Sequence, residues 1–409
     1  MKRIILVLAG IIAPAIMMSQ SIVWLNYSHP QQRATYDASF SGDGTKVLSG
    51  SECHESHIRI FDAANGNMLW DYQLDTTLYC VQGVKFSAGG NKFVAAEETG
   101  NLLLFDYSMP TPMITDTIVT GNAAALSVDF DSSGNNILIG GYNNYRIYDV
   151  NAGLFTANVN AHTGLIWAAS YSHNGQWILT GATDDKAKIH NLFGGLIKTF
   201  SGHTGDVMSA KFTSNDSIVV TGSRDDKIKV WNANTGTLIR NITGHTGDVM
   251  RIDISPDDRF IASASADATV RIWDLQTGAQ LASITDTSGS IVYCVEWSKD
   301  GTKLLTGNGH TQVILYDVSA ITDVQENEAA RVVLMYPNPS PSGSIIRFSE
   351  GNVPIVQYTL FDMNGRLVHQ IENSGGICDV QLPMLPSGNY AYQLRFKDDV
   401  AVSGKLVVQ

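Results

Sequence analysis

One chemically loaded hexapeptide occurs twice in this chain. Residues 203–208 and 245–250 both read HTGDVM, and HTG recurs at 162–164. Acidic pairs follow downstream, Asp184-Asp185 and Asp225-Asp226. Histidine beside carboxylate can move protons, so general acid–base work is the first chemistry to weigh. Its recurrence at one period argues instead for structural turn residues. His54-Glu55-Ser56-His57 comes close to a zinc protease motif, but that motif needs two residues between Glu and the second His, on a helix. Here one residue intervenes, in a polar turn, so no metal site is expected. No GxSxG, phosphate-binding loop or dinucleotide fingerprint is present, and neither catalytic residues nor a cofactor are assigned.

The elements that carry these residues form a repeat. An apolar strand ends in turn at Phe40, Phe86, Phe130, Tyr171, Phe212, Ile254 and Trp297, at intervals of 41 to 46 residues. Turns such as SGDG at 41–44, SHNG at 172–175 and SKDG at 298–301 follow it, rich in residues that bond their own backbone. A later aromatic or histidine position recurs as Phe61, Phe105, Tyr148, His190, Trp231, Trp273 and Tyr316. Two landmarks, each met seven times, define seven four-stranded antiparallel units. One such sheet cannot bury both of its faces, so the seven are expected to pack face to face around an axis.

Four of these repeat residues resemble a known set. Gly202-His203 with SRDDKIKVWN, and Gly244-His245 with SADATVRIWD, are similar to WD repeats. The resemblance implies a buried tetrad of His203, Ser223, Asp225 and Trp231 in the fifth repeat, and His245, Ser265, Asp267 and Trp273 in the sixth. Repeat four keeps His162 and Asp184 but has His190 in place of Trp, and the other repeats lack most of the set. The fold class expected is all-β: a seven-bladed β-propeller over residues 20–320 and a small C-terminal β-sandwich. Ile22–Tyr27 (IVWLNY) is expected to supply the fourth strand of the last blade, which otherwise has none after Tyr316, and so to remove an open sheet edge.

The ends carry addresses. Lys2 and Arg3 precede an apolar run, Ile4 to Ile16, and small or polar residues at Ser19, Gln20 and Ser21. This reads as a signal peptide over 1–19, the apolar run being shorter than the roughly 20 residues a membrane span needs. No further span is expected in the mature chain. Residues 321–333 read as a linker, with Asp323–Ala330 (DVQENEAA) acidic and apolar-poor. From 334 to 409 strand-like segments alternate with turns, Asn364-Gly365 among them. YPNP at 336–339, LFDMNGRLV at 360–368, LPSGNYAYQL at 385–394 and GKLVV at 404–408 resemble the C-terminal sorting domain of type IX secretion substrates. That resemblance implies a source in the Bacteroidetes, contact with the type IX machinery through residues 334–409, and release or outer-membrane surface attachment.

Bulk composition narrows the partners. Acidic residues outnumber basic ones, 39 to 27, for a net charge of −12. That balance disfavours nucleic acid, which binds through lysine and arginine. Export allows a disulfide, and Cys53 with Cys80 is the nearest pair, although spacing alone does not decide it. The residue five places after each repeat histidine is Trp167, Met208 or Met250. These side chains fit two readings, contact anchors at the rim of a channel or plugs within the core, and Arg224 is a further rim candidate. Two functional classes follow: a propeller that binds an unknown protein or surface ligand, and an exported hydrolase or lactonase working inside the channel.

Overall fold

The computed structural model describes residues 21–27, 34–51, 56–74, 80–109, 111–121, 124–286, 288–310 and 312–321. In the C-terminal region it describes 335–336, 345–348, 355–362, 366–372, 379–396 and 401–408. The expected signal peptide, the linker segment 323–330, His54, Glu55, Cys53, Cys378 and Asn364-Gly365 lie outside these residues. The chain divides into two compact units at Ala320 and Ile321.

The first unit is built of short antiparallel strands whose β-branched and aromatic residues suit a pleated, buried surface. β1 is Ser21–Tyr27. β2 (Thr35–Phe40), β3 (Lys46–Ser51), β4 (His57–Asp62) and β5 (Met68–Gln73) pair in chain order. So do β6 (Val81–Phe86), β7 (Lys92–Glu97), β8 (Asn101–Asp106) and β9 (Met113–Val119). β10 (Ser127–Phe130), β11 (Asn136–Gly140), β12 (Tyr142–Asp149), β13 (Leu154–Tyr171), β14 (Trp177–Ala182), β15 (Lys186–Asn191) and β16 (Leu196–Ser201) form one seven-stranded sheet. They do so because the first half of the 18-residue β13 pairs with β12 and its second half with β14.

β17 (Val207–Phe212), β18 (Ile218–Ser223), β19 (Ile228–Asn232) and β20 (Leu238–Ile242) restore the four-stranded pattern. β21 (Val249–Ile254), β22 (Phe260–Ser265), β23 (Thr269–Asp274) and β24 (Gln280–Thr285) repeat it. β25 (Val292–Trp297), β26 (Lys303–Asn308) and β27 (Gln312–Asp317) take β1 as their fourth strand, with Leu25 opposite Ile314. Trp24 anchors β1 further, donating its indole N–H to Ala63 O at 2.9 Å and packing on Phe61.

Adjacent sheets meet through their innermost strands, in the order β2, β6, β10, β13, β17, β21 and β25, and β25 packs on β2. Small residues make the approach possible. A Cβ on Gly222 would lie 2.7 Å from Val249 Cγ1, one on Gly181 2.7 Å from Val207 Cγ1, and one on Gly307 2.7 Å from Thr35 Cγ2. The last of these lies between the seventh unit and the first. Large apolar groups fill the rest of each interface, Trp273, Phe61, Phe93, Phe105 and Phe260 being fully buried. Each such side chain contributes roughly 1.5–3 kcal/mol of burial.

Cys80 is disulfide-bonded, and Cys294 is a buried free thiol. In the second unit, β28 (Met335–Tyr336), β29 (Ile345–Phe348) and β32 (Asp379–Gln381) form one sheet. β31 (Leu367–Glu372), β30 (Ile355–Phe361), β33 (Gly388–Phe396) and β34 (Ala401–Val408) form another. The two share a core in which Val380 joins Tyr358, Leu360, Leu394 and Leu406.

Candidate functional site

The histidine clusters have the connectivity of an Asp–His–hydroxyl triad. In the fifth unit His203 Nδ1 lies 2.9 Å from Asp225 Oδ2, and Nε2 lies 2.8 Å from Thr221 Oγ1. Trp231 donates its indole N–H to the same hydroxyl at 2.9 Å. In the sixth, His245 reaches Asp267 Oδ2 at 2.8 Å and Ser263 Oγ at 2.7 Å, and Trp273 donates to Ser263 at 2.8 Å. The hydroxyl expected in these tetrads is therefore corrected: it is Thr221 and Ser263, not Ser223 and Ser265. The reason is position along the strand. Thr221 and Ser263 stand within β18 and β22, at the level of the indole, whereas Ser223 and Ser265 end those strands. There they bond Gly205 O and Gly247 O and accept the N–H of Asp225 and Asp267.

The network fixes the protons. Nδ1–H donates to the carboxylate, so Nε2 must accept from the hydroxyl, whose oxygen accepts from the indole. Burial pushes His203 and His245 below the usual histidine range, against the pull of their aspartates, and so keeps the rings neutral. Burial by itself would raise Asp267, but bonds from Thr269, His245 and Thr246 hold it at about 2. A nucleophile needs access to substrate; Thr221 and Ser263 are fully buried. Their role is structural. Asp185 and Asp226, the second members of the acidic pairs, sit at φ 61° and 62° and form the turn.

The fourth unit keeps His162 bonded to Asp184 and Thr180, both at 2.8 Å. Its His190 stands where the indole would be, with Nδ1 buried and without a hydrogen-bond partner. Burial, with the charges of His162 and Lys188, pushes His190 down to about 4. The seventh unit, which lacks most of the set, holds a buried polar pair of its own: Asn308 donates to Asp286 at 2.5 Å.

The second cluster is open. Tyr36, Gln82, Leu126, Trp167, Met208, Met250 and Tyr293, one from each repeat, line a cavity of about 230 Å³ together with Arg224 and Arg251. At six of these positions the pairing register breaks: between Thr35 and Asp37, Val81 and Gly83, Ile166 and Ala168, Val207 and Ser209, Val249 and Arg251, and Val292 and Cys294. A β-bulge frees one residue from the ladder and re-aims its side chain. Tyr36 and Tyr293 meet edge to face, with ring centroids 5.1 Å apart. The Arg224 guanidinium stands 5.7 Å from the Trp167 ring centroid. It also pairs with Asp206 at 2.8 Å and with Asp248 at 3.5 Å.

All four rim candidates read from the sequence thus line one cavity. Sequence reasoning missed Tyr36, Gln82, Leu126, Tyr293 and the acidic pair Asp206 and Asp248. Stepping the repeat period outward from Met208 would have found the first four.

Beside this mouth a smaller cavity of about 70 Å³ forms a charged waist, lined by residues of the same innermost strands. Lys85 pairs with Glu296 at 3.2 Å, Arg251 with Asp37 at 3.3 Å and Lys211 with Asp253 at 3.9 Å. Three carboxylates also accept a backbone N–H from the next innermost strand: Asp37 from Val84, Asp129 from Tyr171 and Asp253 from Trp297. Burial raises all three above the ordinary carboxylate range. Each is tied to a cation or to backbone. Among the described residues no group of three or more His, Cys, Asp or Glu is placed to hold a metal ion, and no helix is long and apolar enough to cross a membrane.

Comparison with known families agrees with this architecture. The family described as WD domain, G-beta repeat, matches residues 153–191, 194–232, 236–274 and 278–317, so the first unit carries four WD repeats. More particularly, the chain carries at 334–409 a secretion system C-terminal sorting domain of the type IX kind, which implies contact with that machinery and export to the cell surface or beyond it. The three units before residue 153 repeat the strand pattern outside the matched segments. No curated protein sequence matches the chain significantly.

Proposed function

We propose that residues 20–320 form a closed seven-bladed propeller that binds a protein partner outside the producing cell and catalyses no reaction. The contact of β25 with β2 and the pairing of β1 with β27 support closure. The observation that carries the binding role is the mouth. Seven equivalent positions, six of them at β-bulges, line one opening, and five of them carry aromatic or thioether side chains. A rigid ring of this kind orders contact residues before binding and so lowers the cost of association. Against catalysis stand the buried tetrad hydroxyls and the tied carboxylates of the waist. In this reading residues 1–19 are removed on export, 321–333 form the linker near which the tail is cut, and the mature product is released or held at the outer surface.

Affinity capture from the surface fraction of the producing organism tests the binding role, using the full chain and its Trp167→Ala/Met250→Ala variant. The expected result is a protein retained by the parent and lost from a variant that unfolds at the same denaturant concentration. Identical capture by both would sink the role of the mouth. Turnover of generic ester, lactone or glycoside substrates, abolished by Asp129→Asn, would overturn the non-catalytic part.

A further inference from the structure

This inference rests on the mouth being the contact surface, and it concerns what enters there. Six of the seven ring positions are apolar or aromatic, Gln82 being the exception. The rim above them is acidic. Asp206 and Asp248 share a single guanidinium, that of Arg224, while the other cation of the wall, Arg251, is already paired with Asp37. Burial raises the Asp206 carboxyl; Arg224 pulls it back, and both Asp185 and Asp248 add to the rise. Two carboxylates thus share one cation, with the charge of Asp185 felt at Asp206, in a chain of net charge −12.

We infer that the partner presents a large apolar side chain next to a lysine or arginine. The apolar group enters the opening of about 230 Å³ among Trp167, Met208, Met250 and the tyrosine pair, a space suited to one side chain. The adjoining cation lies against Asp206 and Asp248, near the face of Trp167, where an aromatic ring attracts positive charge. Arg224 occupies that place in the free protein, 5.7 Å from the ring centroid, and competes with the partner's cation. The consequence is counter-intuitive for a contact residue. Removing Arg224 strengthens binding of a basic partner, because it uncovers the ring and leaves two carboxylates without their cation.

The test uses the full chain and fluorescent, amidated nonapeptides of Gly and Ser with Arg-Phe-Arg, Glu-Phe-Glu or Arg-Ser-Arg at the centre. Fluorescence anisotropy is expected to show Arg-Phe-Arg binding at least about tenfold more tightly than the other two. Arg224→Ala should tighten it roughly threefold, and Asp206→Asn/Asp248→Asn should weaken it by roughly three- to tenfold, more at low than at high salt. Equal or tighter binding of Glu-Phe-Glu, weakening by Arg224→Ala, or no binding of any probe overturns the inference. If capture of a surface protein still depends on Trp167 while Arg-Phe-Arg fails, only this inference falls. If capture does not depend on Trp167, the reading beneath it falls too.

Discussion

Replacing Thr221 with valine, which keeps the shape and exchanges the hydroxyl for a methyl, tests the hydrogen-bonded chain directly. The indole N–H of Trp231 loses its acceptor at 2.9 Å, and Nε2 of His203 loses its donor at 2.8 Å. Both stranded atoms belong to buried residues. A buried polar group left without a partner costs about 1–3 kcal/mol, so two cost about 2–6. The added methyl returns about 1 kcal/mol of burial, leaving a net loss of about 1–5 kcal/mol. Ser223→Ala is the internal control. It removes the bonds to Gly205 O and from Asp225 N; Ser223 is itself buried, but both partners are partly exposed and can turn to water, so the cost is about 1 kcal/mol. Equilibrium urea unfolding of the full chain, followed by circular dichroism, measures both. Adding Trp231→Phe to Thr221→Val should cost less than the sum of the single changes by about 1 kcal/mol or more, since the donor is removed together with its acceptor. If Ser223→Ala proves as damaging as Thr221→Val, or the pair is additive, the hydroxyl has been assigned to the wrong residue.

Three further outcomes are expected. His190 is held at about 4, below the ordinary histidine value near 6.5, so the unfolded chain binds its proton first. Stability at this site is therefore complete above roughly pH 6.5 and is lost as pH falls towards 4, by at most about 3 kcal/mol; His190→Phe should flatten the fall of melting temperature over that window. Trp24→Ala, which removes the bond to Ala63 and the packing on Phe61, should destabilise the chain by about 3–5 kcal/mol and expose β1 to protease; unchanged protection of residues 21–27 would count against the clasp. Intact mass after alkylation should show Cys294 protected in the folded protein, and reduction should be needed before Cys80 reacts.

Much of this architecture was legible because a repeat tests itself. The last residue of each innermost strand recurs seven times, so Phe40, Phe212 and Trp297 located strands that local propensity alone would have placed loosely. The expected strand Ile22–Tyr27 is found as Ser21–Tyr27, paired with β27. The tetrad hydroxyl was misplaced because Ser223 and Thr221 both point to the same side of one strand, two residues apart, and only the height of the indole decides between them. The fused sheet β10–β16 was not legible: Ala161-His162-Thr163-Gly164 reads like the loops at 202–205 and 244–247, yet here the backbone stays extended, with Gly164 N–H donating to Asn143 at 2.6 Å. The rim was half legible. Methionine and tryptophan after a repeat histidine stood out, while Tyr36 and Tyr293 follow no such histidine.

The two clusters differ in how freely their residues can change, and that difference supports the binding role proposed for the mouth. A tetrad position is bound by three partners at once: exchanging Trp for His at 190 leaves a buried nitrogen unpaired. A bulge position has no ladder partner to satisfy and projects into an opening, so its identity is nearly uncoupled from the sheet that bears it. In this chain the bulge set runs Tyr, Gln, Trp, Met, Met and Tyr, with Leu126 at the equivalent place beside β10. The tetrads of the fifth and sixth units, by contrast, differ only in Thr221 against Ser263. Residues that hold the sheets repeat because the same physical demand repeats. On the reading proposed for the mouth, its residues answer to one partner that meets each repeat at a different angle, and five residue types over seven positions fit that demand.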